Sequence, residues 1–161
     1  MTDLGLMKYF LGIEIKQSGK GIFICQNKYA IILLKRFRME NWKHVATPVA
    51  IGTKLRNDDE VSYVNPTLFK SLIGSLMYLI AARPDIMQGM RLISRLMETP
   101  TDTLRREGKR ILRDIKGTRD CGIMYASTEK KDLIGYTYSD FAGSLDDRKS
   151  LLVMCSTLVQ V

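Results

Sequence analysis

Residues 66–80 set the terms on which this chain can fold. Asn65-Pro66 is a helix start, with Asn as the cap and Pro at the first helical position, where its missing N–H costs nothing. Beyond it, Leu68, Leu72, Leu76 and Ile80 form one ridge at helical spacing, and Phe69, Ile73 and Met77 form the next. A helix apolar over so wide an arc has to be surrounded, which makes it a core element and obliges its neighbours to supply the cover.

The neighbours read as two further helices. Arg83-Pro84-Asp85 breaks the first and opens a second, with Ile86, Met90, Ile93 and Met97 inward. Pro100-Thr101 starts a third, Thr101 to Lys116, stopped by Gly117, whose apolar stripe is only Leu104, Ile111, Leu112 and Ile115. Gly108 falls inside that helix, where it costs about 1 kcal/mol relative to Ala. Upstream, Lys8–Ile15 and Gly21–Cys25 are β-branched and aromatic runs around a Gly-containing loop, the pattern of a β-hairpin. Gln26–Arg38 reads as a helix with Tyr29, Ile32, Leu33 and Phe37 at helical spacing, leaving Lys28, Lys35 and Arg36 to solvent. Asn41–Asn65 has no sustained period and reads as a long polar surface connection. Gly122–Ala126 and Leu133–Ser139 read as strands.

At 161 residues this is one domain or pieces of two. No run of about 18 apolar residues occurs and the first residues lack a basic-then-apolar leader, so neither a membrane span nor a secretory signal is expected and the chain reads as intracellular. Cys25, Cys121 and Cys155, with His44 the sole histidine, fit neither a zinc spacing nor a disulfide framework and read as reduced thiols. The net charge of +8 favours polyanionic partners. Half of it lies between Arg83 and Asp120, where ten Lys/Arg face six acids. On the third helix Arg106, Lys109, Arg110 and Arg113 share one face, a stripe able to neutralise phosphates without reading sequence. A charged helix face is also the ordinary dress of a solvent-facing surface. Tyr9, Phe10 and Phe23 could stack on bases, although aromatic residues in strands more often serve packing.

Near the C-terminus, Gly135-Tyr136-Thr137-Tyr138-Ser139-Asp140-Phe141-Ala142-Gly143-Ser144 and Asp147-Arg148-Lys149-Ser150 resemble the first ribonuclease H strand of copia-type retrotransposon Pol polyproteins, G-Y-x-D-S-D-(F/W/Y)-A-G-S followed by D-R-(K/R)-S. Four more blocks resemble the same family in the same order: Asp3–Ile15, Gln26–Tyr29, Gly74–Leu79 with Ala82–Ile86, and Lys109–Arg113 with Lys116–Thr118. The resemblance implies an α+β chain from the C-terminal part of a reverse transcriptase. It comprises the end of the palm as an N-terminal β-hairpin, with the first thumb helix (1–40), a long polar connection (41–65), a helical thumb and connection segment (66–118) and the start of a ribonuclease H with its C-terminal β-hairpin (119–150). In the family the hairpin positions the primer strand and the helices hold the template–primer duplex. A duplex of RNA and DNA on the basic helix face is therefore the expected partner, with no membrane and no small-molecule substrate.

The same resemblance argues against activity. Tyr138 occupies the position of a metal-binding aspartate. A phenol is neutral at pH 7 and cannot replace a carboxylate on Mg²⁺, which two-metal phosphodiester cleavage requires. Asp140 lies on the same side of the strand but about 6.6 Å away. The polymerase's aspartate turn would precede Met1, and the remaining nuclease carboxylates would follow the last residue. Asp58-Asp59 and Asp146-Asp147 read as solvated loop acids. No catalytic residue, cofactor or metal site is therefore expected, although the ancestral activity would need Mg²⁺. After Ser150 the family continues Thr-Ser-Gly-Tyr, whereas this chain has Leu151-Leu152-Val153-Met154-Cys155. Codons for those five residues can spell Thr-Ser-Gly-Tyr-Val in the adjacent frame, so 151–161 reads as a frameshifted tail, with ordinary divergence of an apolar strand as the alternative, and it is apolar enough to aggregate if exposed.

Overall fold

In the computed structural model the described residues are 5–50, 64–95, 97–98, 100–127, 131–139 and 152–160. The Asp58-Asp59 and Asp146-Asp147 pairs, Asp140 and Ser150 lie outside them.

The N-terminal apolar run is two strands rather than one. β1 (Tyr9–Phe10) and β2 (Ile13–Ser18) are joined by Leu11 and Gly12, both at positive φ (44° and 76°). Two successive positive φ values make the tight turn that matches strand twist, with Phe10 opposite Ile13. β3 (Gly21–Cys25) pairs antiparallel with β2, and β4 (Gly122–Ala126) adds antiparallel to β3, giving a four-stranded sheet in the order β1-β2-β3-β4. Gly122 sits opposite Cys25, and a Cβ there would fall 2.1 Å from the Ile24 carbonyl oxygen, so the strand can approach only as glycine.

α1 (Asn27–Arg36) follows β3 directly. Its own N-cap, Gln26, makes no capping bond. Glu14 on β2 accepts the Lys28 N–H at 2.7 Å instead, placing a carboxylate at the positive end of the helix. At the other end Arg38 takes φ 55°, Arg38 N–H reaches the Lys35 carbonyl and Met39 N–H the Leu34 carbonyl, the double bond pattern of a Schellman stop. That stop buries Leu34 with Met39 and corrects the expected face of the helix: Ala30, Leu33 and Leu34 point inward, while Ile32 is 60% exposed.

α2 (Pro66–Leu79) is capped as its sequence indicates, Asn65 Oδ1 accepting from Thr67 N and Leu68 N. Phe69, Leu72, Ile73, Leu76 and Leu79 are buried, each contributing roughly 1.5–3 kcal/mol relative to exposure. Leu68 and Met77, expected inward, are exposed. A short 3-10 turn (Pro84–Ile86) leads into α3 (Met87–Ser94), and together they bury Ile86, Met90 and Ile93. α4 (Asp102–Gly117), capped by Thr101, buries Leu104, Ile111, Leu112 and Ile115 as the stripe indicates. The four helices share one core. Gly108 is where α4 meets α2, since a Cβ there would stand 2.8 Å from Leu72 Cδ2.

β5 (Lys131–Ser139) and β6 (Leu152–Gln160) form a separate antiparallel pair, with Tyr138 opposite Val153. The fold is thus α+β with a C-terminal strand pair. β4 belongs to the N-terminal sheet, and most of the segment read as a tail forms β6. Among the described residues no helix is long and apolar enough to cross a membrane.

Candidate nucleic-acid interface

α4 has two opposed faces because its apolar and basic residues interleave at helical spacing. Leu104, Ile111, Leu112 and Ile115 face the core, and Arg106, Lys109, Arg110, Arg113 and Lys116 fall on the other side. The five cations span about 15 Å of helix axis at 1.5 Å per residue. The structure brings the four sequence-indicated residues together on one face and adds Lys116 to them.

Their partners differ along the helix. At the N-terminal end Asp102 takes both arginines, accepting from Arg105 Nη2 at 2.5 Å and Arg106 Nε at 2.6 Å. The Arg105 hydrogen bond, assisted by both guanidinium charges, holds the Asp102 carboxyl below the usual carboxylate range. Arg106 projects outward with 78% of its side chain exposed.

Further along, the partners are neutral. Residues 41–50, expected as loose surface connection, lie along α4. Arg110 Nη2 donates to Thr47 Oγ1 at 3.0 Å, Arg113 Nε to the Lys43 carbonyl at 2.7 Å, and Lys116 Nζ to the Trp42 carbonyl at 2.8 Å. Lys109 Nζ sits 5.5 Å from the centroid of Trp42, the single tryptophan. Val45 N–H reaches back to the Arg113 carbonyl, and His44 packs on Gly117. Among the described residues no salt bridge joins a carboxylate to Lys109, Arg110, Arg113 or Lys116. Arg110 Nε is buried without any hydrogen-bond partner. From Lys109 to Lys116 the face therefore keeps its charge, since the acceptors of Arg110 Nη2, Arg113 Nε and Lys116 Nζ are neutral oxygens.

α4 is held in place from its C-terminal end by Arg83. This guanidinium, 3% exposed, donates to both Asp85 oxygens (2.9 and 2.6 Å), to the Thr118 carbonyl (2.8 Å) and to Thr118 Oγ1 (2.7 Å). A cation there also meets the negative end of the helix. Asp114 lies 3.7 Å from it, and burial pushes that carboxyl above its ordinary range against the pull of Arg83. A groove of 370 Å³ lies beside the face, floored by Phe37, Phe69, Leu72 and Leu112 and edged by Arg105 and Lys109.

On the sheet, Tyr9 and Phe10 are exposed (52% and 54%) and Phe23 is half-buried, with Lys28 over Tyr9 and Lys16 over Phe23. The Tyr78 hydroxyl donates to the Leu11 carbonyl and fixes the β1–β2 turn on α2. Tyr138 lies near the end of β5. No group of three or more His, Cys, Asp or Glu able to hold a metal ion occurs among the described residues, which do not include Asp140, Asp146 or Asp147.

Comparison with known proteins agrees with the sequence blocks. The chain is 38% identical over 141 residues to the retrovirus-related Pol polyprotein from transposon RE2 of Arabidopsis thaliana, covering 88% of this chain and 10% of that protein. It is 34% identical over 159 residues to the corresponding polyprotein from transposon TNT 1-94 of Nicotiana tabacum, covering 93% and 12%. To an uncharacterized mitochondrial protein of Arabidopsis thaliana it is 36% identical over 163 residues, covering 98% and 65%. The chain thus spans about a tenth of the transposon polyproteins and 65% of the mitochondrial protein. No family model and no solved structure matches it.

Proposed function

Because this chain belongs to the copia-type retrotransposon Pol polyproteins, of which it spans one segment, we infer that it is a degenerate, catalytically silent part of that polyprotein. The observation that carries the reading is Tyr138, a neutral phenol in the strand position where the family places a metal-binding carboxylate. Two-metal hydrolysis depends on clustered carboxylates, and a phenol at this position takes one of them away. With purified chain and Mg²⁺, an RNA–DNA hybrid should stay uncleaved and a primer unextended. Turnover that tracks the purified protein would overturn the reading.

A second reading has its own observation. Lys109, Arg110, Arg113 and Lys116 hold positive charge on one face of α4 with no salt-bridged carboxylate among the described residues, and Arg106, paired with Asp102 but largely exposed, stands beside them. Such a face suits a phosphodiester backbone, binding by charge and not by base identity. On this reading the segment keeps the duplex-holding role of the thumb after the chemistry is lost. The β5–β6 pair then represents the opening of the ribonuclease H, without its function.

A further inference from the structure

We propose that residues 42–47 are a built-in competitor for the phosphate-binding face of α4, and that nucleic acid binds only as this strap lifts away. The proposal rests on the second reading above and concerns regulation of that same face.

Strap and face meet through the donors a phosphate would need. The Thr47 hydroxyl, the Lys43 carbonyl and the Trp42 carbonyl take the hydrogen bonds of Arg110, Arg113 and Lys116 at 3.0, 2.7 and 2.8 Å. Trp42 covers Lys109. These oxygens stand where phosphate oxygens would have to stand, so strap and backbone cannot hold the same donors together. The replacement favours the phosphate, because a neutral acceptor makes a weaker bond to guanidinium than an anionic one. Arg110 Nε, buried and unpaired under the strap, gains a chance of a partner in the exchange.

The strap is built to detach. Its attachment to the face uses side-chain bonds to its own backbone and hydroxyl, together with one long backbone bond, Val45 N–H to the Arg113 carbonyl at 3.4 Å. Trp42, Lys43, His44, Ala46 and Thr47 are exposed, so lifting them uncovers little apolar area. Further on, Pro48 and Val49 are half-buried against Gly89 and Ile111, which anchors one end. At the other end Met39 is buried in the Schellman stop. Fixed at both ends and held in the middle by polar bonds, the segment can open without disturbing the core.

The contact between His44 and Gly117 allows the strap to be locked. A Cβ at Gly117 would lie 3.2 Å from His44 Cβ, so a small outward shift of the strap reaches the separation of about 3.5–4.5 Å in a disulfide. The test combines His44→Cys with Gly117→Cys in one chain, with Cys121 and Cys155 replaced by Ser, and compares its oxidised and reduced forms. Binding to a short fluorescein-labelled RNA–DNA hybrid is followed by anisotropy at low salt. The reduced protein should bind like the parent and the oxidised one roughly tenfold or more weakly, with recovery on adding reductant. As a second arm, Trp42→Ala in the otherwise unaltered chain should bind about two- to fivefold tighter than the parent, because the strap loses its contact with Lys109. Equal binding by oxidised and reduced protein, with no gain from Trp42→Ala, overturns the competitor while leaving the phosphate face intact. If no form binds the hybrid, the face and its competitor fall together.

Discussion

Gly108→Ala sets two effects of opposite sign against each other, and the structure decides between them. On an exposed helix face the substitution stabilises by about 1 kcal/mol through helix propensity. At position 108 the new methyl would stand 2.8 Å from Leu72 Cδ2, in a core where Leu72 is 5% exposed and Ile93, the next neighbour at 3.8 Å, is 1% exposed. Contact that close has to be relieved by moving Leu72 off its rotamer or α4 off α2, at about 1–3 kcal/mol for an overpacked core. The net effect is a loss of up to about 2 kcal/mol, centred near 1. Urea unfolding reads it as a fall in midpoint with unchanged slope. The mechanism also fixes a coupling. Leu72→Ala alone should cost about 2–5 kcal/mol, but it removes the atom that the new methyl strikes. The double variant should therefore be more stable than the sum of the singles by roughly 1–3 kcal/mol. A stabilising Gly108→Ala, or strict additivity with Leu72→Ala, would refute the close approach of α2 and α4 at this point.

Other consequences follow from the two charged clusters. Arg83→Met leaves the buried Asp114 without its ion-pair partner and strips the Thr118 carbonyl of its donor, so it should cost about 3 kcal/mol. Adding Asp114→Leu should recover most of that in thermal unfolding. Asp102→Asn removes a carboxylate whose folded pKa is depressed, so its stabilisation exists above the unfolded pKa and disappears as pH falls through the folded one. The variant should accordingly be less stable than the parent at pH 7, by no more than about 1 kcal/mol for an exposed pair, with the gap closing in acid. Asp114 runs the other way. Its raised folded pKa makes the native state take up a proton first, so its contribution improves as pH drops from above that pKa towards the unfolded value.

Local signals carried over well from sequence to structure. Asn65-Pro66 starts α2, Thr101 caps α4, and the four-residue stripe of α4 is the buried one. What sequence spacing misplaced was orientation. Residues 68–80 are apolar over a wide arc, so spacing alone could not tell that Leu68 and Met77 would stay outside. In α1 the spacing admitted Ile32, but the Schellman stop chose Leu34, because Met39 has to pack against it. The partner of β4 was hidden for another reason: Gly122 pairs with Cys25, nearly a hundred residues earlier, and no local pattern reports so distant a register. The basic face was visible as Arg106, Lys109, Arg110 and Arg113, and Lys116 continues the same spacing. The strap across it was not, since its acceptors are mainly backbone carbonyls, which every sequence possesses.

The central claim, a silent segment that still holds nucleic acid by charge, is tested most directly by the salt dependence of binding to an RNA–DNA hybrid. Each phosphate neutralised contributes about 0.9 to the slope of log affinity against log salt on a B-form duplex. The parent should bind at low salt in the absence of Mg²⁺. Replacing Arg106, Lys109, Arg110 and Arg113 with Gln should flatten the slope by about 2–4, with circular dichroism and unfolding midpoint held near the parent's. Unchanged affinity and slope in that variant would contradict the account.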